Sequence, residues 1–248
     1  MYSILVSVAA GLAIGVVVAL GFNLGAGVFT GFFVALVVFF LLLRRGMEKM
    51  QSIQTDAMKH LESLQSHPHR QKQALDLAIH TLEDGLKYKH WVLLGEAQIN
   101  ANIGYIYYLR KDFGKAFPYL EGAFVRHWMA QAMLAACHYR KKEYDKVREV
   151  MERAVKYNKK VPFLWACYAW FENSRGEKDY AMDVLQRGVE INSDDENLKS
   201  MLLNLKNQKK LKMSKFAELW YQLLLEMPPQ RMLQGMQPKF SAYRRRGG

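Results

Sequence analysis

Three stretches of the chain repeat one pattern: KDFGKAFPYLEGA at Lys111–Ala123, KEYDKVREVMERA at Lys142–Ala154 and EKDYAMDVLQRG at Glu177–Gly188. Each contains a small or branched residue, a large apolar residue four positions later and a small residue three positions beyond that. Residues at these spacings lie on one face of an α-helix. Internal similarity at such intervals is typical of stacked helical repeats, so the sequence predicts an all-α chain.

The three residues that each segment shares form a triplet. The triplets are Ala116/Leu120/Ala123, Val147/Met151/Ala154 and Ala181/Leu185/Gly188, and their first members are 31 and 34 residues apart. An earlier triplet, Ala78/Leu82/Gly85, indicates a divergent first repeat. Two helices approach closely only where the side chains between them are small. The small positions therefore predict where the two helices of each pair touch.

With these triplets the chain resembles the tetratricopeptide repeat (TPR) family, whose unit is a helix-turn-helix of about 34 residues. The residues that match the family's first-helix tryptophan, glycine and aromatic places are Gly104, Tyr107, Ala135, His138, Trp165 and Ala169. Ile191–Asp195 resembles the turn between repeats, without its proline. The resemblance implies an α-solenoid of TPR-like repeats whose first helices line a concave groove.

The sequence divides into five regions. They are a two-helix transmembrane anchor at 1–45, a divergent first helix pair at 46–90, three TPR-like repeats at 91–195, a capping helix pair at 196–227 and a basic flexible tail at 228–248. The first helix pair is split at His67-Pro68-His69, and the capping pair is predicted as Glu196–Gln208 and Ser214–Glu226.

The N-terminal region is apolar and uncharged. Residues 1–43 contain no Asp, Glu, Lys, Arg or His. Tyr2–Phe22 is an apolar run of 21 residues, which as a helix reaches about 30 Å, the thickness of the hydrocarbon core. A shorter run, Val28–Leu43, follows a turn signal at Asn23–Gly27. The sequence predicts a transmembrane helical hairpin, and its two Gly-x-x-x-Gly spacings suggest close helix contacts and self-association.

Two other interpretations of the apolar region stay open. A cleaved signal peptide requires a positive n-region, which Met1-Tyr2-Ser3 lacks; a buried hairpin of a soluble protein is the second. Arg44, Arg45 and Lys49 follow the second span directly, and positive residues mark the cytoplasmic side. We therefore expect an integral protein of the bacterial inner membrane with its soluble domain in the cytoplasm.

Catalytic signatures are absent from the sequence. It contains no P-loop, HExxH, GxSxG or EF-hand pattern. Cys137 and Cys167 are isolated, which suggests buried thiols in a reducing compartment rather than a disulfide. His67 and His69 flank a proline, a weak arrangement for a metal. We expect no enzyme activity, no cofactor and no metal.

The TPR resemblance implies a partner-binding groove rich in aromatic residues and Met. Its residues would be Tyr105, Tyr108, Met129, Met133, Tyr139, Arg140, Phe163, Trp170 and Asn173. The alternative is that several of these side chains pack between repeats. The lysines and asparagines with which TPR domains clamp peptide carboxylates are missing, so a peptide C-terminus is not the expected ligand.

A basic surface is the second candidate interaction site. It consists of Lys206, Lys209, Lys210, Lys212, Lys215, Arg244, Arg245 and Arg246. Anionic lipid attracts such clusters by about 1 kcal/mol per residue near the membrane; the alternative is a solvated helix face. Nucleic acid is disfavoured, because no recognition motif accompanies the charge of +12.

Two functions remain from the sequence. The first is a membrane-tethered scaffold or adaptor that binds a protein or peptide partner through the concave groove. The second is a structural subunit that forms homo-oligomers through the hairpin and through solenoid stacking. Occupation of the groove by the chain itself, or by a neighbour, favours the second.

Overall fold

The computed structural model describes residues 2–66, 71–89 and 94–229, and no residue in these ranges lies in a β-strand. The predicted all-α class is confirmed. The α-helices of these ranges are α1 Tyr2–Gly21, α2 Leu24–Ser66, α3 Gln71–Gly85, α4 Gly95–Leu109, α5 Phe113–Glu121, α6 Trp128–Arg140, α7 Tyr144–Tyr157, α8 Pro162–Ser174, α9 Lys178–Ile191, α10 Glu196–Lys206 and α11 Ala217–Trp220. The chain divides into two compact units between Phe124 and Val125.

Helices α1 and α2 form a tight hairpin. Asn23 begins the second helix, since its side-chain Oδ1 accepts a hydrogen bond of 2.8 Å from the backbone of Ala26. The predicted turn is shorter than expected, because α2 already starts at Leu24.

The glycines of both Gly-x-x-x-Gly spacings lie where the two helices cross. A Cβ atom added to Gly11 would lie 2.5 Å from the carbonyl oxygen of Gly31, and one added to Gly27 would lie 2.5 Å from the Cβ of Ala19. Only glycine permits so close a backbone approach. These spacings, which suggested self-association, therefore pack against each other within one chain.

The outer faces of the hairpin are apolar and exposed. Leu20 and Phe29 are 85% and 73% exposed. Both helices are long and apolar enough to cross a membrane.

Helix α2 does not stop at the predicted end of the anchor. It runs for 43 residues, about 65 Å, so that its second half is the first helix of the predicted divergent pair. Met50, Ile53 and Ala57 on this half are buried in one cluster with α3 and α4. The apolar segment and the first soluble core therefore share one helix.

The turn inside each helix pair has the same form three times. Lys111, Lys142 and Gly176 follow the first helix of a pair and have φ of 63°, 60° and 98°. The next residue donates its backbone N–H to a carbonyl five positions earlier, as Glu143 does to His138 at 3.0 Å. This left-handed C-terminal turn is a Schellman motif. The three residues are 31 and 34 positions apart, the interval of the triplets.

Small residues lie between the paired helices. Ala116, Ala154 and Ala181 are fully buried, as predicted. A Cβ on Gly104 would lie 2.8 Å from the Leu120 side chain, and one on Gly188 would lie 2.9 Å from Trp165.

Two asparagines join successive turns of the second unit. The side-chain amide of Asn158 donates to the carbonyls of Ala154 and Val125, each at 2.9 Å. Asn192 donates in the same way to Gly188 and Lys159, each at 3.0 Å. Each amide closes the end of its own helix and ties it to the loop one repeat earlier.

The predicted second capping helix is broken. Instead of one helix over Ser214–Glu226, α11 has four residues and lies between 3₁₀ turns at Ser214–Phe216 and Tyr221–Leu223. The physical reason is tertiary: Trp220 and Leu223 are buried, at 1% and 0% exposure, and the backbone follows their contacts.

Candidate interaction site

Helices α6 and α8 of the second unit pack together and present an aromatic surface. Tyr139 on α6 lies 5.5 Å from Trp170 and 5.3 Å from Phe171, both on α8, measured between ring centroids. Phe163, at the start of α8, packs edge-on against Trp128 at 5.7 Å. We call Tyr139, Arg140, Phe163 and Trp170 the α6–α8 surface.

The α6–α8 surface is covered by residues 214–224 of the same chain, the C-terminal segment. Trp220 meets Trp170 with the ring centroids 4.6 Å apart, and Phe216 meets Phe163 at 5.9 Å. Both pairs are edge-to-face, the favourable arrangement of aromatic rings. Aromatic contacts therefore hold two points of the segment.

Hydrogen bonds fix the end of the C-terminal segment. The guanidinium Nη2 of Arg140 donates to the carbonyl of Leu224, a residue with φ of 52°. The indole Nε1 of Trp220 donates to a carboxylate oxygen of Glu226 at 2.9 Å. A buried indole without that acceptor would lose a hydrogen bond, so Glu226 permits Trp220 to be buried.

The predicted groove residues differ in their burial. Tyr108, Met129, Met133 and Phe163 are buried, whereas Tyr105, Tyr139, Trp170 and Asn173 are half-buried and Arg140 is exposed. Tyr108 packs against Phe113 with ring centroids 5.0 Å apart, which is core packing. Tyr139, Arg140, Phe163 and Trp170 come together in the second unit. Tyr105 and Tyr108 lie on α4, in the first unit.

The described part of the predicted basic surface lies around the start of the C-terminal segment. Lys206, Lys209, Lys210, Lys212 and Lys215 are all exposed. Arg244, Arg245 and Arg246 lie outside the described residues, as do His67 and His69.

A charged network joins α7, α8 and α9. Glu152 accepts two hydrogen bonds of 2.9 Å from Arg187, and the hydroxyls of Tyr168 and Tyr180 donate to it at 3.1 Å. These donors, Arg187 first, lower the pKa of Glu152. Buried Glu172 accepts a second bidentate pair from Arg148 at 3.2 and 2.7 Å. These ion pairs and hydrogen bonds join the three helices to one another.

The cysteines are buried free thiols. Burial raises the pKa of Cys137 to about 11, and raises that of Cys167 as well. Thiols in this state are poor nucleophiles. Within residues 2–66, 71–89 and 94–229, no group of three or more His, Cys, Asp or Glu could hold a metal ion.

No known protein family and no curated protein matches this chain.

The sequence left open that the chain itself occupies the groove, but it did not identify residues 214–224 as the occupant. Its signal was present: Phe216, Trp220 and Leu223 follow at i, i+4 and i+7, the spacing of one apolar helix face. That pattern was assigned to a capping helix. Nothing in it indicates which of several exposed faces the residues cover.

Proposed function

We propose that this protein is a membrane-tethered scaffold built from TPR-like repeats, which binds a partner segment through the α6–α8 surface. The observation that carries the proposal is helix α2. Its first half is apolar and exposed, and its second half is part of a soluble core. A soluble domain attached in this way would be held at the membrane surface.

Membrane insertion is supported by the exposed side of the hairpin. Large apolar side chains cover its outside, while the small residues Ser3, Ser7 and Gly11 lie inside. This is the reverse of a soluble helix pair, which buries its large apolar residues. The first charged residues, Arg44 and Arg45, mark the end of the span that we assign to the cytoplasm.

The TPR-like assignment is supported by recurrence. The left-handed turns, the buried small residues Ala154 and Gly188, and the two asparagine bridges return at 31- or 34-residue intervals. Repeats of this kind stack into solenoids.

The chain's own C-terminal segment occupies this surface, an arrangement that favours the second function, a structural subunit that self-assembles. In the scaffold, a partner would bind by replacing this segment. The segment contributes two aromatic side chains and one buried leucine. A partner that replaces it needs the same chemistry, a short amphipathic segment with aromatic residues at i and i+4 and a leucine at i+7. Membrane confinement raises the effective concentration of a partner in the same membrane, so modest affinity suffices.

Topology is tested first, with single cysteines in a Cys137→Ala, Cys167→Ala background. A cysteine that replaces Lys199, an exposed residue on α10, should not react with a membrane-impermeant maleimide in intact cells. It should react once the cell membrane is permeabilised. Reaction from the outer side in intact cells would contradict the proposed orientation. Extraction of the protein by alkaline carbonate would contradict insertion.

Binding is tested with a fluorescent peptide of residues 211–227 and the full-length protein in detergent. The Trp220→Ala variant, whose own segment is weakened, should bind the peptide more tightly than the unaltered protein. Adding Trp170→Ala should remove the binding. Equal binding by all three proteins would show that the α6–α8 surface is not the site.

A further inference from the structure

The connection before the C-terminal segment is a seven-residue hinge, Asn207–Met213. It follows the end of α10 at Lys206; five of its residues are exposed, and Leu211 and Met213 are buried. Gln208 turns the chain with φ of 55°, a conformation that is costly for a residue with a Cβ atom. The turn at Gln208 is therefore less favourable than the right-handed helical conformation that this residue would otherwise prefer.

The sequence around the hinge favours a continuous helix. Residues 196–227 contain neither Gly nor Pro, and the hinge itself is rich in Lys, Gln, Leu and Met, all good helix formers. The fold-back replaces that helix by two 3₁₀ turns and a single α-helical turn. Local propensity and tertiary contacts disagree here, and the contacts of Trp220 and Phe216 decide the outcome.

The same contacts can form between two chains. They belong to the segment and the α6–α8 surface, and nothing in them requires both to come from one copy. A hinge of seven residues spans about 25 Å when extended, which gives the segment room to reach a neighbour. Exchange of an identical element between copies preserves the contacts that residues 214–224 make with the α6–α8 surface, and a hinge that relaxes on straightening favours it.

We propose that the α6–α8 surface of one copy accepts the C-terminal segment, residues 214–224, of a second copy in the same membrane. The inference rests on the proposed membrane anchoring, because two copies held in one plane meet at a high effective concentration. In the exchanged pair, Trp220 of each copy packs on Trp170 of the other. The hinge straightens and α10 continues toward the segment.

Crosslinking between tagged copies tests the exchange. Two differently tagged full-length chains without native cysteines are co-expressed and reconstituted in lipid vesicles. One carries Arg140→Cys and the other Leu224→Cys, positions joined in the folded-back chain by the Arg140–Leu224 hydrogen bond. A short bismaleimide should link the two tags. Trp220→Ala in the segment donor should reduce this product more than tenfold, because a buried Trp anchor dominates such an interface.

Two controls separate exchange from collision. Glu190→Cys, an exposed position on α9, replaces Arg140→Cys in the first chain and should give only the background product. Gln208→Gly removes the strain of the positive φ and so stabilises the turn that places the segment on its own chain. With both cysteines on one copy, this variant should give fewer crosslinks between chains and more within a chain. Crosslinks confined to single chains at every protein-to-lipid ratio would overturn the exchange. Carbonate resistance of the same vesicles reports the anchoring separately, so failure of the exchange leaves that part of the proposed function standing.

Discussion

Single residues in the left-handed conformation form the turns of the helix pairs. In the third pair the position is Gly176, whereas the first two pairs have Lys111 and Lys142. Glycine adopts positive φ freely, and a lysine there is strained by its Cβ atom. At Lys111 and Lys142, tertiary contacts therefore hold a left-handed backbone conformation that is unfavourable for lysine by itself.

Lys142→Gly is expected to stabilise the second unit by roughly 0.5–1 kcal/mol, because it removes the strain at φ of 60°. Thermal unfolding of the detergent-solubilised protein measures the change. Lys141→Gly is the matched control: Lys141 has φ of −81°, so glycine there relieves nothing and should lower the melting temperature. A decrease for both variants would contradict the strained turn.

Glu152 gives the second unit a specific sensitivity to acid. Its folded pKa is lowered from the ordinary 4.5, chiefly by the hydrogen bonds from Arg187. A carboxylate with a lowered folded pKa contributes stability above its unfolded pKa, and the contribution is lost as pH falls through the folded pKa. Glu152→Gln should lower the melting temperature at neutral pH. It should also reduce the decrease in melting temperature between about pH 5 and pH 3.

The control for this pH dependence is Glu190→Gln. Glu190 is exposed and accepts one hydrogen bond, from Gln186. It should leave the acid limb of the stability curve as it is. An unchanged acid limb in the Glu152 variant would show that the Arg187 pair does not contribute to stability.

Helices α1 and α2 show how an element can depend on its smallest residues. Gly11→Ala should destabilise the hairpin by roughly 1–3 kcal/mol, because the new Cβ would overlap the Gly31 carbonyl and the Cβ of Ala35. Gly21→Ala is the control, since the added Cβ would meet no atom within 4 Å other than its chain neighbours and the backbone of its own helix. Unfolding in mixed micelles, followed by helical circular dichroism, compares them. Equal stability of the two variants would exclude the close crossing.

Asn158 and Asn192 show how one side chain joins neighbouring repeats. Asn192→Ala removes two hydrogen bonds and should cost about 1–2 kcal/mol, as should Asn158→Ala. Since the two bridges lie at successive repeats, the double variant should lose about the sum. Denaturant midpoints measure this. A double variant no less stable than either single one would mean that the two bridges are not independent.

At the scale of the whole molecule, the sequence predicted what depends on periodicity. The helix class and the buried positions of Ala116, Ala154 and Ala181 follow from spacing, and the apolar hairpin follows from the length of two uncharged runs. The continuity of α2 was not predicted. Arg44 and Arg45 mark the end of the apolar run, but arginine is a good helix former, so the helix continues through them. The place of Trp220 could not be predicted either, because it depends on a surface assembled from two other helices.

The 43-residue length of α2 sets a rotational phase between the hairpin and the core around Ile53. Each residue of an α-helix turns the chain by about 100° and advances it by about 1.5 Å. One alanine inserted between Arg45 and Gly46 would therefore turn that core by more than a quarter of a circle about the helix axis, while raising it hardly at all. Seven inserted residues, close to two full turns, would raise it by about 10 Å and nearly restore its facing. The direction in which that core faces its neighbours in the membrane is thus set by the number of residues in this helix.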